Sequence, residues 1–243
     1  MEEPTKKRLR FLGIFAAYFV GMWLLWNTAF VYPIKLFVVL LHEISHGLAS
    51  VVTGGRIEAI DVTPMQGGIC RCGGGNAFLS LSAGYLGSLM WGGLMIWGAV
   101  KLGRRAEWLT AAIGLLVATI TVLYVRQPFA LTFGLAFGAV LLVIALKMGS
   151  GGNRAVLIGL GMTSALYAVF DIKSDIIDRP EVMSDARMLS ELTRCNRSRV
   201  EVALAMHGLH ECTRSAKSSA LYCRDTRCTG VRRVLLRAAS MSI

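Results

Sequence analysis

Acidic residues are scarce in this chain. Only 15 of its 243 residues are Asp or Glu, and between Glu58 and Asp171 the only acids are Asp61 and Glu107. So few groups that must stay in water exclude an ordinary soluble domain. The six cysteines include no Cys-x-x-Cys pair, and Cys195, Cys212, Cys223 and Cys228 lack zinc-ribbon spacing. A secreted disulfide scaffold is excluded by the same composition. What is abundant is apolar: 54% hydrophobic residues and a mean hydropathy of +0.56 describe a membrane protein and exclude a disordered one. The net charge of +11 would point to nucleic acid were it spread over a domain, but +7 of it lies in residues 194–243, with ten Lys or Arg against three acids. No nucleic-acid partner is expected.

Lys6, Lys7, Arg8 and Arg10 precede an apolar run over 11–32, which at 22 residues is too long for a signal-peptide core. The run predicts a retained first transmembrane helix, with Trp23, Trp26 and Tyr32 toward its far interface. Pro33 breaks it, and a second helix is predicted over 34–52, stopped by Gly54 and Gly55. The loose alternation of Arg-Ile-Glu-Ala-Ile-Asp-Val from Arg56, then Pro64, Gly67-Gly68 and Gly73-Gly74-Gly75, predicts a short β-hairpin. Further apolar spans cover 77–100, 108–125, 128–146 and 155–170, with connections too short for a folded domain. The expectation is an all-α polytopic membrane protein with about six transmembrane helices, a hairpin after the second, and an irregular C-terminal tail. The basic N-terminus predicts a cytoplasmic start, against which stand Lys101, Arg104 and Arg105 on the far side of six alternating spans.

Helices in lipid associate through small residues and polar contacts, because hiding Leu from hydrocarbon gains nothing. In the third span Ser80, Gly84, Ser88 and Gly92 recur every four residues on one face, with Ala83 and Gly87 beside them. Gly134-xxx-Gly138 and Gly161-xxx-Ala165 are shorter versions. All three read as packing surfaces.

Polar residues inside an apolar span need a reason, since each costs on the order of 2–3 kcal/mol at the bilayer centre unless paired or coordinated. The second predicted helix contains His42-Glu43-Ile44-Ser45-His46. Residues i and i+4 share a helix face, so both imidazoles can reach one tetrahedral Zn2+ while Glu43 stands beside the open coordination position. A catalytic zinc takes a third protein ligand. No further His occurs before His207, so a carboxylate is expected: Asp171, which ends the sixth apolar run, or Asp175 one turn later.

With these residues in order the chain resembles the site-2 protease clan of membrane zinc metallopeptidases, peptidase family M-fifty, in its B-like branch without a periplasmic peptide-binding domain. The resemblance rests on HExxH in an early span, the Gly54-Gly55 stop and hairpin, Gly67-Gly68, Ala83-Gly84-Tyr85-Leu86-Gly87, and Tyr167 to Asp171 followed by Ser184-Asp185-Ala186. It covers about residues 10–193. It implies an intramembrane zinc metalloprotease cutting in or near a transmembrane segment of a protein substrate, in the lipid bilayer of a bacterial inner membrane. His42, His46 and Asp171 would bind zinc, with Asp175 the alternative, and Glu43 would be the general base. The Arg56–Val62 strand could offer an edge to an extended substrate.

Other features stay open. Cys70-Arg71-Cys72 could be a metal or redox pair, a weaker signal than Cys-x-x-Cys, and the remaining cysteines read as free thiols. The chain divides into a basic N-terminus (1–10), a metallopeptidase-like domain (11–193) and a basic tail (194–243). The tail reads as a lipid-attracted segment, a nucleic-acid arm or shifted-frame sequence, with composition favouring the last. Two other functions compete with the protease: a membrane protein that keeps the metal site without proteolysis, and an ion or solute transporter. A transporter would spread its polar groups along a pathway, whereas here they concentrate in one motif.

Overall fold

The computed structural model describes residues 4–178 and 183–193. In order they form α1 (Pro4–Leu25), α2 (Tyr32–Val52), β1 (Arg56–Val62), β2 (Gly68–Gly73), α3 (Ala77–Lys101), α4 (Ala106–Tyr124), α5 (Pro128–Lys147), α6 (Ser150–Lys173) and α7 (Asp185–Thr193). A 3-10 turn, Gly103–Arg105, leads into α4, and a π-helical turn, Ser174–Asp178, follows α6. Among the described residues five helices, α2 to α6, are long and apolar enough to cross a membrane, and α1 adds a shorter apolar stretch, Ala16–Leu25. The molecule is an integral membrane protein. The predicted tail over 194–243, with its four cysteines, lies outside the described residues.

The first helix ends sooner than its apolar run. Both the amide and the hydroxyl of Thr28 donate to the Leu25 carbonyl, at 2.9 and 2.7 Å, and this turns the chain seven residues before Tyr32. Pro33 then lies in the first turn of α2, where its missing N–H costs nothing, so the residue expected to break a helix begins one. Helix α1 docks on α6: Tyr18 donates to the Gly159 carbonyl at 3.0 Å, and Trp23 and Trp26 set their edges against Phe170.

Helix α2 is the buried axis of the bundle, with every residue from Lys35 to Gly47 enclosed. Apart from Lys35 and the polar residues of the His42–His46 motif this stretch is apolar, so little of it has to face water. On one side lies α3, whose small residues permit close approach: a Cβ on Gly87 would overlap Ser45 of α2. The same stripe continues onto α6, where Gly92 and Gly161 face each other's carbonyls and Ser164 donates to the Ser88 carbonyl at 2.8 Å. Helices α4 and α5 pair likewise through Gly114 and Gly138, where a Cβ added to either would lie 3.0 Å from the other's carbonyl oxygen.

The hairpin covers the opposite side of α2. Its strands are antiparallel, Ile57 opposite Cys72 and Val62 opposite Gly68, with an irregularity between Ile57 and Ala59. Cys70 and Cys72 are joined in a disulfide within β2. Asp61 of β1 is buried and ties the hairpin to the α4–α5 connection, accepting from Arg71 at 3.1 Å and from the Gln127 amide at 3.2 Å. The return to α3 passes Gly75, which needs φ of +75° and lies so close to the Ser50 carbonyl, 2.8 Å from an added Cβ, that only glycine fits.

Candidate metal centre

His42, Glu43 and His46 lie deep in α2, each no more than 6% exposed. Their potential ligand atoms fall within 4.8 Å of one another, and the two imidazole rings stand one turn apart with centroids 4.8 Å apart. The helix spacing places them so, and α3 fixes how they face. His46 Nδ1 donates to the Ser80 carbonyl at 2.7 Å, and the Ser80 hydroxyl donates back to the His46 carbonyl at 3.1 Å. The bond to the Ser80 carbonyl keeps a proton on Nδ1, so that with Nε2 deprotonated His46 would offer that nitrogen's lone pair to a metal ion.

His42 is enclosed by Tyr85 and Tyr167, whose ring centroids lie 5.5 and 6.3 Å from its own, both edge-on. Its Nδ1 faces the Ser88 hydroxyl at 3.4 Å and an Asp171 carboxylate oxygen at 3.7 Å. Asp171, at the end of α6, is therefore beside His42, but on the nitrogen turned away from His46. Asp175 accepts a hydrogen bond from Tyr85 at 2.6 Å.

The carboxylate that reaches both inner nitrogens is Asp185. Its Oδ2 lies 3.0 Å from His42 Nε2 and 2.9 Å from His46 Nε2. Asp185 opens α7, outside the membrane-crossing helices. Burial opposes its ionisation, but His46 and His42 outweigh that and hold its carboxyl well below the usual range. The third-ligand candidates read from sequence are Asp171 and Asp175, at and just beyond the end of an apolar run, and Asp185 is not among them. The available signal was local: Ser184 caps a short helix, its hydroxyl accepting from the Arg187 amide at 3.4 Å, with Asp185 as the acid of the first turn.

The residues fit a metal ion. Two imidazole nitrogens and one carboxylate oxygen form a donor set that zinc favours. The small-residue stripe of α3 supplies the room, since a Cβ on Gly84 would overlap Nε2 of both histidines. Glu43 lies on the hairpin side, its carboxylate against Gly68, where a Cβ would collide with it. The face of α3 read from sequence as a packing surface is thus also one wall of the site.

A polytopic bundle with a buried His-Glu-His cluster and a converging carboxylate in its interior defines the class as a membrane protein with a candidate metal site in its core. The family model described as Peptidase M50B-like matches residues 15–207, and the chain belongs to that family. The match extends past Thr193 to residue 207, into the basic tail over 194–243. No curated protein and no solved structure matches the chain.

Proposed function

We propose that the protein is an intramembrane zinc metalloprotease that hydrolyses peptide bonds in or near a transmembrane segment of a protein substrate. The observation that carries this reading is the convergence of His42 Nε2, His46 Nε2 and Asp185 Oδ2 beside the buried Glu43, in a chain of a peptidase family. His42, His46 and Asp185 would hold the ion, and Asp171 would orient His42 from its other nitrogen. Zinc, when bound, supplies the Lewis acidity that acidifies water toward a pKa of ~7 and polarises a carbonyl. Glu43 takes a proton from the attacking water and delivers it to the leaving nitrogen, breaking the C–N bond.

The substrate must present an extended segment, because a peptide bond inside a helix is already hydrogen-bonded and sterically closed. Such a segment would add to the hairpin. β2 is the more exposed strand and lies against Glu43 through Gly68, whereas β1 is buried over Ile60, Asp61 and Val62. This favours β2 over the Arg56–Val62 edge expected from sequence.

The test is elemental analysis of detergent-purified wild type, His46→Ala and Glu43→Gln, with cleavage of a helical membrane substrate measured in parallel. The expected result is about one zinc per chain in wild type and Glu43→Gln, little in His46→Ala, and cleavage by wild type alone. Full zinc in His46→Ala would overturn the metal site. Unchanged cleavage by Glu43→Gln would overturn the general base.

A further inference from the structure

The carboxylate proposed as third ligand comes from a nine-residue helix that follows a break in the described chain, not from the bundle. Among the described residues α7 buries only Ala186, Leu189 and Thr193, a small apolar footprint for an element that must place one oxygen against two nitrogens. Something else has to fix it.

Tyr85 of α3 meets that need. It is 1% exposed and is the aromatic residue set into the Ala83-Gly84-Tyr85-Leu86-Gly87 stretch beside the site. Its ring lies edge-on to His42 and packs with Phe78, Ala186 and Leu189. Its hydroxyl makes two bonds of opposite sense. It donates to Asp175 Oδ2 at 2.6 Å, in the π-helical turn after α6, and accepts from the Ala186 amide at 3.3 Å, in the first turn of α7. That amide has no partner within its own helix, as holds for the first N–H groups of any helix, so an acceptor from a neighbour orients the helix end. A donor bond to a carboxylate is in turn shorter and stronger than a neutral one, which fixes the hydroxyl itself.

We infer that Tyr85 is a positioning residue for the metal centre: its hydroxyl, held by Asp175, docks the start of α7 so that Asp185 Oδ2 faces both histidine nitrogens. This inference rests on the zinc reading above, with Asp185 as ligand. Removing the hydroxyl while keeping the ring would leave the apolar packing intact and free the ligand-bearing end of α7 by one bond.

Co2+ in place of zinc reports the geometry of its ligands through its visible absorption, and titration of the apoprotein with Co2+ or Zn2+ reports affinity. The expected result for full-length Tyr85→Phe is a roughly 10- to 100-fold loss of metal affinity, the range found when a group that orients a ligand is removed. The Co2+ spectrum should change, and kcat should fall with little change in KM. Asp175→Asn should shift the spectrum in the same direction, which keeps the test decisive if Tyr85→Phe does not accumulate. Asp185→Asn is the control, expected to lose stoichiometric metal. Wild-type affinity and spectrum in Tyr85→Phe, with metal lost in Asp185→Asn, would overturn the positioning role while leaving the zinc reading intact. A lowered melting temperature with an unchanged spectrum would reduce Tyr85 to ordinary packing and overturn it too. A wild type that takes up no metal would overturn the zinc reading and this inference with it.

Discussion

Gly84 faces Nε2 of His42 with no side chain between them, and a single methyl group there would occupy the space between the two histidines. Gly84→Ala is therefore expected to abolish stoichiometric zinc binding while the chain still inserts. Gly93→Ala, on the same helix with open space around its Cα, should bind zinc as wild type does. Elemental analysis of the two purified variants checks this, and zinc retained in Gly84→Ala would show that the ion sits elsewhere.

The two carboxylates near His42 should separate on substitution by Asn, which keeps shape and removes charge. Asp185→Asn should lose the metal. Asp171→Asn should keep it with affinity lowered about 10- to 100-fold, as for a group that orients a ligand through its far nitrogen. A competitive titration with a zinc chelator measures both. The reverse order would make Asp171 the ligand.

Ser80 offers a test of backbone against side chain. The acceptor for His46 Nδ1 is the Ser80 carbonyl, which any residue supplies, while the hydroxyl only returns a bond to the His46 carbonyl. Ser80→Ala is expected to change metal affinity by less than about fivefold, because a neutral hydrogen bond contributes about 1 kcal/mol at most sites and the bond that sets the tautomer survives. A loss as large as that of Asp171→Asn would mean the hydroxyl, not the carbonyl, holds the ring.

Asp61 should matter far from the metal. It is buried and accepts from Arg71 and the Gln127 amide, so Asp61→Ala leaves the amide at the start of α5 without that acceptor. The expected cost is about 1–3 kcal/mol. Arg71→Ala removes a half-exposed partner and should cost at most about 1 kcal/mol. Unfolding in mixed micelles gives both values, and equal losses would show that the ion pair, not the amide contact, docks the hairpin.

The parts of this structure legible in the sequence are those governed by short-range periodicity. His42 and His46 could be placed on one face of α2 because four residues make about one turn, and the hairpin could be bounded because Gly67-Gly68 and Gly73-Gly74-Gly75 punctuate it. The end of α1 was not legible, since Trp26 to Tyr32 carries no charge, Gly or Pro to mark a stop, while Thr28 turns the backbone. The stripe from Ser80 to Gly92 was seen, but its second role was not: spacing shows that a helix can come close, not that the residues coming close are imidazoles. Asp185 was hidden for a related reason. Hydropathy ranks the ends of long apolar runs, and a nine-residue polar helix beyond the last run has no such signature, although Ser184-Asp185 marks its start.

The sequence separation of 143 between His42 and Asp185 also imposes an order on biosynthesis. Helices leave the ribosome in sequence, so His42, Glu43 and His46 enter the membrane while the chain that will carry their third partner is still unmade. Until α7 is complete, the nascent protein holds a glutamate and two histidines in a bundle that cannot yet close around them. If Asp185 completes the metal site as proposed, that site stays incomplete until the last described helix has been made.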